Sequence, residues 1–281
     1  MPTNFPLVKT VLDELYAEVK LMHGSGTDAK IIARINYLAN AYGQLTNASV
    51  PGPNYADATT RFAYVYKYVA SHADYVYRLM QRNDVIRECL NKQAPHVTCL
   101  GGGPGSELVG VLKFIREEEL LTRKLQIHLC DKEAAWSDSW SEVGTKLDLD
   151  LQLSTNFLEL DVTEPATWSK QKKYLQSDLF VLSFFVSEVF KFKDSASGFW
   201  TKLFSDMPEG SIVLFVDNDS EKFLTYFDAL AFSSKMEVID KGAEKMVPSH
   251  DEQKAELGAY MEKFSVQPRM KAELAWRILR K

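Results

Sequence analysis

The residues best suited to chemistry form one run: Val97-Thr98-Cys99-Leu100-Gly101-Gly102-Gly103-Pro104-Gly105-Ser106-Glu107. Four glycines in five positions separate a short apolar run from a helical pattern. Glycine there lets the backbone turn sharply and lets a ligand approach it closely. The free N–H groups of the following helix can then face a polar or anionic group. The spacing is G-x-G-x-G. It is neither the G-x-G-x-x-G of dinucleotide folds nor a phosphate loop, which would continue Gly-Lys-Ser/Thr. An acid, Asp131, ends the next apolar run 26 residues after Gly105. A carboxylate at a second strand end is where such folds grip the two hydroxyls of a ribose. A third apolar run closes on Asp161-Val162, and a fourth spans Asp178 to Phe185.

Candidate acid–base groups follow the fourth run. Glu188 in Ser183-Phe184-Phe185-Val186-Ser187-Glu188 is placed to accept a proton or orient an amine. The plainer reading, which we favour, is a helix-start acid stabilised by the helix dipole. Asp217 opens Asp217-Asn218-Asp219 at the end of a fifth run, where open sheets bind ligands, and also suits capping the next helix. A tyrosine-rich stretch runs from Arg61 to Arg78. Its Tyr64, Tyr68 and Tyr75 share a helical face that can close a half-wet pocket, with Arg61 or a tyrosine reaching the ligand. The five histidines are dispersed and read as surface or core residues, and Cys99 and Cys130 read as small buried apolar side chains.

The elements that must position these groups change character at residue 94. Residues 1–93 read as a helical cap. One helix carries Leu7, Val11, Leu12, Leu15 and Val19 and ends at His23-Gly24-Ser25-Gly26. A second carries Ile31, Ile32, Ile35 and Leu38 and stops near Gly43. A long third pattern runs from Asp57 to Leu90, after the breaker Val50-Pro51-Gly52-Pro53-Asn54. From residue 94 to 281, apolar runs (97–100, 125–130, 151–158, 179–183, 211–217) alternate with helical patterns (107–121, 132–143, 197–204). That alternation predicts a mostly parallel α/β sheet covered on both faces. Residues 264–269 and 273–279 are expected to form a closing strand pair, and 245–256 a mobile polar loop.

Composition restricts the class. The 281 residues carry 33 basic and 38 acidic side chains, a formal charge of −5, with 46% hydrophobic residues. That is a chain able to bury a core and a poor candidate for coating nucleic acid. The charge is uneven, +2 over residues 1–93 and −7 over 94–281, while 254–281 is locally cationic. No run is long enough to cross a bilayer, and no signal or transit pattern opens the chain. Three cysteines without C-x-x-C spacing support neither disulfides nor a metal site, so a reducing compartment is expected: the cytoplasm, or the nucleus.

Glycine loop, strand-end acid, second acid and apolar fourth strand, in this order, resemble the class I S-adenosylmethionine (SAM)-dependent methyltransferases. The resemblance covers residues 94–281 and implies a Rossmann-like, mostly parallel sheet with an antiparallel closing strand. By that resemblance Gly101, Gly102, Gly103 and Gly105 pass under the methionine part of the cofactor. Asp131 holds the ribose, Lys132 lies beside the adenine, Asp161 and Val162 meet the adenine edge, and Ser183 and Phe184 form the floor near the methyl group. Arg61 and Tyr64 reach in from the cap. The family's acid two residues before the first glycine is replaced by Cys99, which leaves the grip on the cofactor's ammonium group to another residue. The fourth strand lacks the Asn/Asp-Pro-Pro-Tyr/Phe pattern of base-amine methylases. The expected acceptor is therefore a small molecule or a protein, with RNA as the alternative acceptor and a non-catalytic SAM-fold assembly or regulatory protein as the alternative function. A fainter similarity, to mitochondrial ribosomal small-subunit methyltransferase-like proteins, stops short of their cysteine metal ligands.

Overall fold

The computed structural model describes residues 5–47, 49–140, 151–248 and 250–281. Two helices, α1 (Phe5–His23) and α2 (Thr27–Tyr42), open the chain, joined by a short 3-10 turn at Gly24–Gly26. The expected long third helix is a bent series. It comprises α3 (Ala58–Tyr64), a π-helical turn (Val65–Val69), α4 (Ala70–Met80) and a separate α5 (Asp84–Leu90). The starts of α3 and α5 are capped: the Asp57 carboxylate accepts from Thr59 N at 3.0 Å, and Asn83 Oδ1 from Val85 N at 3.1 Å.

The sheet is built from β1 (His96–Leu100), β2 (Lys124–Asp131), β3 (Gln152–Glu159), β4 (Leu179–Ser183), β5 (Ile212–Asn218), β6 (Glu237–Met246) and β7 (Ala272–Arg280). Their spatial order is β3-β2-β1-β4-β5-β7-β6. β1 to β5 run parallel, and β7 is antiparallel to both its neighbours. The helices of this half are α6 (Ser106–Glu117), α7 (Trp136–Trp140), α8 (Pro165–Trp168), α9 (Phe185–Val189), α10 (Ser197–Asp206), α11 (Glu221–Ser233) and α12 (His250–Phe264).

Alternation along the strands builds two cores. Ile212, Leu214 and Val216 of β5 face the cluster shared with the N-terminal helices and α6, whereas Val213 and Phe215 face α10 and α11. The cap thus packs into the same apolar cluster as one face of the sheet. Three expectations change. The closing pair is β7 with β6, while 264–269 lies wholly outside any strand, Phe264 ending α12. Residues 245–256 hold the end of β6 and the start of α12 rather than a loop. The expected helix over 132–143 is described only as α7, since 141–150 lie outside the described residues.

Topology fixes where a site can be. Strand order reverses between β1 and β4, so the loops after β1 and β4 diverge and leave a crevice at their carboxyl ends. The glycine loop, Asp131, Asp161, Ser183 and Asn218 all follow or close parallel strands at this edge.

Candidate active site

Three adjoining chambers lie along the crevice. The first, of about 120 Å³, is lined by Gly101, Asp131, Lys132, Asp161, Val162 and Glu188, among others. The second, about 30 Å³, shares Gly101, Asp131, Phe185 and Glu188 with it and adds Glu107, Ser183, Phe184 and Tyr64. The third, about 500 Å³, shares Phe184 and Tyr64 with the second and continues over Tyr42, Tyr68 and His72 to Lys67, Lys222 and Arg269. Eight of the residues predicted for the cofactor therefore converge as lining groups: Gly101, Asp131, Lys132, Asp161, Val162, Ser183, Phe184 and Tyr64. Glu188 joins them.

The remaining predicted residues do other work. Gly102, Gly103 and Gly105 line none of the chambers. A Cβ on Gly103 would lie 2.4 Å from Trp136 Cδ1 and 2.6 Å from Asp131 Oδ2; on Gly105 it would lie 2.2 Å from the Trp140 ring. Gly103 and Gly105 make room for the two buried indoles of α7, Gly102 for Cys99, and Gly105 also adopts φ +82°, where side chains are strained. Arg61 is buried, donates to Tyr55 O and Ala56 O at 2.9 Å, and pairs with Glu18. Asp217 accepts from Ser187 N at 2.8 Å, so it ties α9 to β5 rather than capping α11.

Asp131 is held on both oxygens by backbone: Oδ2 accepts from Gly103 N at 3.2 Å and Oδ1 from Glu133 N at 3.0 Å. Burial nonetheless pushes its carboxyl up to about 6. Glu188 accepts from the Tyr42 hydroxyl at 3.0 Å, and that hydroxyl is also bonded to Tyr55. Burial first, then the charge of Asp131, pushes Glu188 up to about 7, so the dipole of short α9 does not control it. Glu107 goes furthest, to about 8, through burial and through Asp131 and Glu188. Three carboxyls raised by burial, two of them also by the charge of Asp131, describe a site suited to a cation.

Phe184 forms the partition between the second and third chambers. Its backbone is left-handed, φ +56°, a conformation costly for a bulky residue and concentrated at functional sites. The His72 ring stacks on it, with centroids 3.9 Å apart and planes at 19°. Burial keeps that imidazole neutral, its value lowered to about 3. Sequence reasoning missed His72, Glu107, Tyr42 and Tyr55. His72 carried a signal: with Tyr64 and Tyr68 it repeats every fourth residue.

The donor set suits a sulfonium and ammonium-bearing ligand. Glu107 Oε2 and Ser183 Oγ are buried and lack hydrogen-bond partners among the described residues, and both residues line the second chamber. Among the described residues, no group of three or more His, Cys, Asp or Glu could hold a metal ion, and no helix is long and apolar enough to cross a membrane.

Solved structures similar to this chain include a SAM-dependent methyltransferase from Methanosarcina mazei. It is 10% identical with a TM-score of 0.48, and the match covers 71% of this chain and 97% of that one. A protein described as a "putative RNA methyltransferase", from Pyrococcus horikoshii, is 12% identical with a TM-score of 0.43, covering 89% and 98%. Comparison with curated proteins gives no match. Residues 55–223, more than half of the chain, match the model of a family described as "Putative SAM-dependent methyltransferase". The chain belongs to that family and is a SAM-dependent methyltransferase.

Proposed function

We propose that the chain methylates an anionic small molecule seated in the third chamber, with SAM lying along the first two. Bound there, the cofactor supplies an activated methyl group on a sulfonium. The protein's part is placement. Asp131 accepts from the ribose hydroxyls through its free lone pairs, Lys132, Asp161 and Val162 surround the adenine, and Gly101 lets the ligand approach the backbone. Ser183 and Phe184 form the floor at the methyl end. Phe185 narrows the passage between the first two chambers, so its ring must swing for one ligand to span both.

The observation that carries the reading is the shared wall. Phe184 and Tyr64 border both the second and third chambers, so an acceptor in the third reaches the methyl end where these two side chains part, Phe184 swinging aside as Phe185 does. In-line placement is the main requirement of this reaction. The third chamber has the size of a small-molecule site. Its walls are aromatic, and among the described residues Lys67, Lys222 and Arg269 make no ion pair with a carboxylate. Glu188 serves as proton acceptor through the Tyr42 hydroxyl, which lines the third chamber and donates to Glu188. Asp217 acts as a tie between elements. The same three cations favour the second reading, an RNA acceptor whose phosphates they would meet.

Asp131→Ala tests the cofactor assignment by calorimetry with SAM. Charge-assisted hydrogen bonds contribute about 1.5–3 kcal/mol each, so the loss should be tenfold or more. The thermal transition must show a folded domain, because Asp131 also holds Gly103 and Glu133. Unchanged affinity in a folded variant would remove Asp131 from the cofactor site.

A further inference from the structure

Glu107 is the second residue of α6 and is 2% exposed. Its carboxyl lines the second chamber; Oε2 has no hydrogen-bond partner of good geometry among the described residues, and the Ser183 hydroxyl beside it favours the charged form. A buried unpaired carboxylate costs several kcal/mol, and the group avoids that cost by holding a proton. It holds that proton past neutrality, to about 8, through burial and the carboxylates of Asp131 and Glu188. The other groups that feel its charge are Tyr64 and Cys99, while Lys132 acts on Asp131 and Glu188.

The second observation comes from the strand beneath. Cys99 is fully buried two residues before Gly101, and its thiol is pushed up by burial and then by the charge of Glu107. The strand that lacks an acid therefore lies beside a helix that supplies one. Glu107 reaches the chamber because the glycine loop turns α6 back over β1. The bond from Val109 N to Gly105 O starts that helix at Ser106 and leaves Glu107 in its first turn.

We infer that Glu107 holds the α-ammonium group of the cofactor's amino-acid end, in place of the acid that Cys99 displaces, and that it releases its proton to solvent as the ligand binds. The inference rests on the reading that SAM occupies the first two chambers. The balance is simple: the ligand keeps its ammonium proton, the carboxylic acid becomes a carboxylate, and one proton appears in the buffer. No covalent bond changes. A neutral Glu107 also prevents three like charges from crowding an empty chamber.

The test is calorimetry at pH 7, in two buffers of different ionisation enthalpy, on the wild-type chain and Glu107→Gln. Gln reproduces the shape of the neutral acid, so the variant should fold. The ligands are S-adenosylhomocysteine, its analogue lacking the α-amino group, and 5′-methylthioadenosine, which lacks the amino-acid end. The variant should bind S-adenosylhomocysteine roughly tenfold or more weakly and the other two ligands unchanged. The wild type should release close to one proton with S-adenosylhomocysteine, and the variant distinctly less. Equal weakening of all three ligands, no weakening, or the same proton release in both chains overturns the role of Glu107. Wild-type protein that binds none of the three overturns the cofactor-site reading as well. Methylthioadenosine binding without discrimination for the amino group overturns Glu107 alone. Should the variant not fold, proton release by the wild type still decides, since its absence is incompatible with an acid that ionises on binding.

Discussion

Gly105 and Gly210 share the same backbone angle, φ +82°, but not the same surroundings, and the pair makes a controlled experiment. At Gly210 an added Cβ meets nothing within 4 Å, whereas at Gly105 it lies 2.2 Å from two atoms of the Trp140 ring. Alanine in the left-handed region costs about 1–2 kcal/mol at either position. Overpacking a closed interior adds about 1–3 kcal/mol. Trp140 is 1% exposed and belongs to the main core cluster, so its ring has little room to retreat. Gly210→Ala should therefore lose about 1–2 kcal/mol, and Gly105→Ala about 2–5 kcal/mol. Urea unfolding with unchanged slopes reads both losses. In a Trp140→Leu background the excess at Gly105 should shrink, because the colliding ring atoms are gone. Equal losses at the two glycines would mean that no indole sits over the loop. The space beside Gly105 would then be free for a ligand, as the resemblance to the methyltransferases implied.

Two further outcomes follow from the charges. Glu107 and Glu188 hold protons to about 8 and about 7 in the folded chain, against an ordinary 4.5. The folded state then binds more protons than the unfolded one, so stability falls as pH rises through that range. Melting temperature without ligand should drop between pH 7 and 8.5, and Glu107→Gln should flatten the drop. This window lies above the ordinary 6.5 of histidine, so buried neutral His72, which costs stability only in acid, does not blur it. A melting temperature that rises over the window in the wild type would contradict the buried acids. For the acceptor, a small anion should be displaced only moderately by salt. An RNA acceptor should lose affinity steeply between 50 and 200 mM salt, by about a decade or more where several phosphates are met. Steep loss in the wild type that becomes shallower in Lys67→Ala and Arg269→Ala, by about one in slope each, would move the assignment to RNA.

The inner parallel strands were legible because β1, β4 and β5 are buried on both faces and read as apolar runs. Leu179 to Ser183 is buried at every position, and the expected and observed limits coincide. β6 was invisible for the opposite reason. It lies at the sheet edge, and Glu237 to Met246 is half charged and partly exposed, with no alternation that hydropathy could detect. Its partner β7 is buried and was recognised, but was assigned the wrong mate because 264–269 is closer in sequence. The break between α4 and α5 was lost within a continuous apolar pattern. Only Asn83, whose side chain caps α5, marked it.

The site was legible where strand ends alone determine it. Asp131, Asp161 and Ser183 needed nothing beyond strand order to converge, since parallel strands deliver their carboxyl ends to one edge. It was illegible where tertiary packing chooses among equivalent residues. Arg61 looked free to reach a ligand, yet two backbone carbonyls and Glu18 claim it. Gly103 and Gly105 looked like ligand contacts, yet two tryptophans from the next helix take the space. Glu107 was read only as the start of a helical pattern. Position in the first turn predicts a lowered carboxyl, and burial reverses the sign. The acid missing from Cys99 and the acid present at Glu107 are eight residues apart in sequence. The turn at Gly101 to Gly105 brings Glu107 back close enough for Cys99 to feel its charge, and a motif read along the chain does not register it.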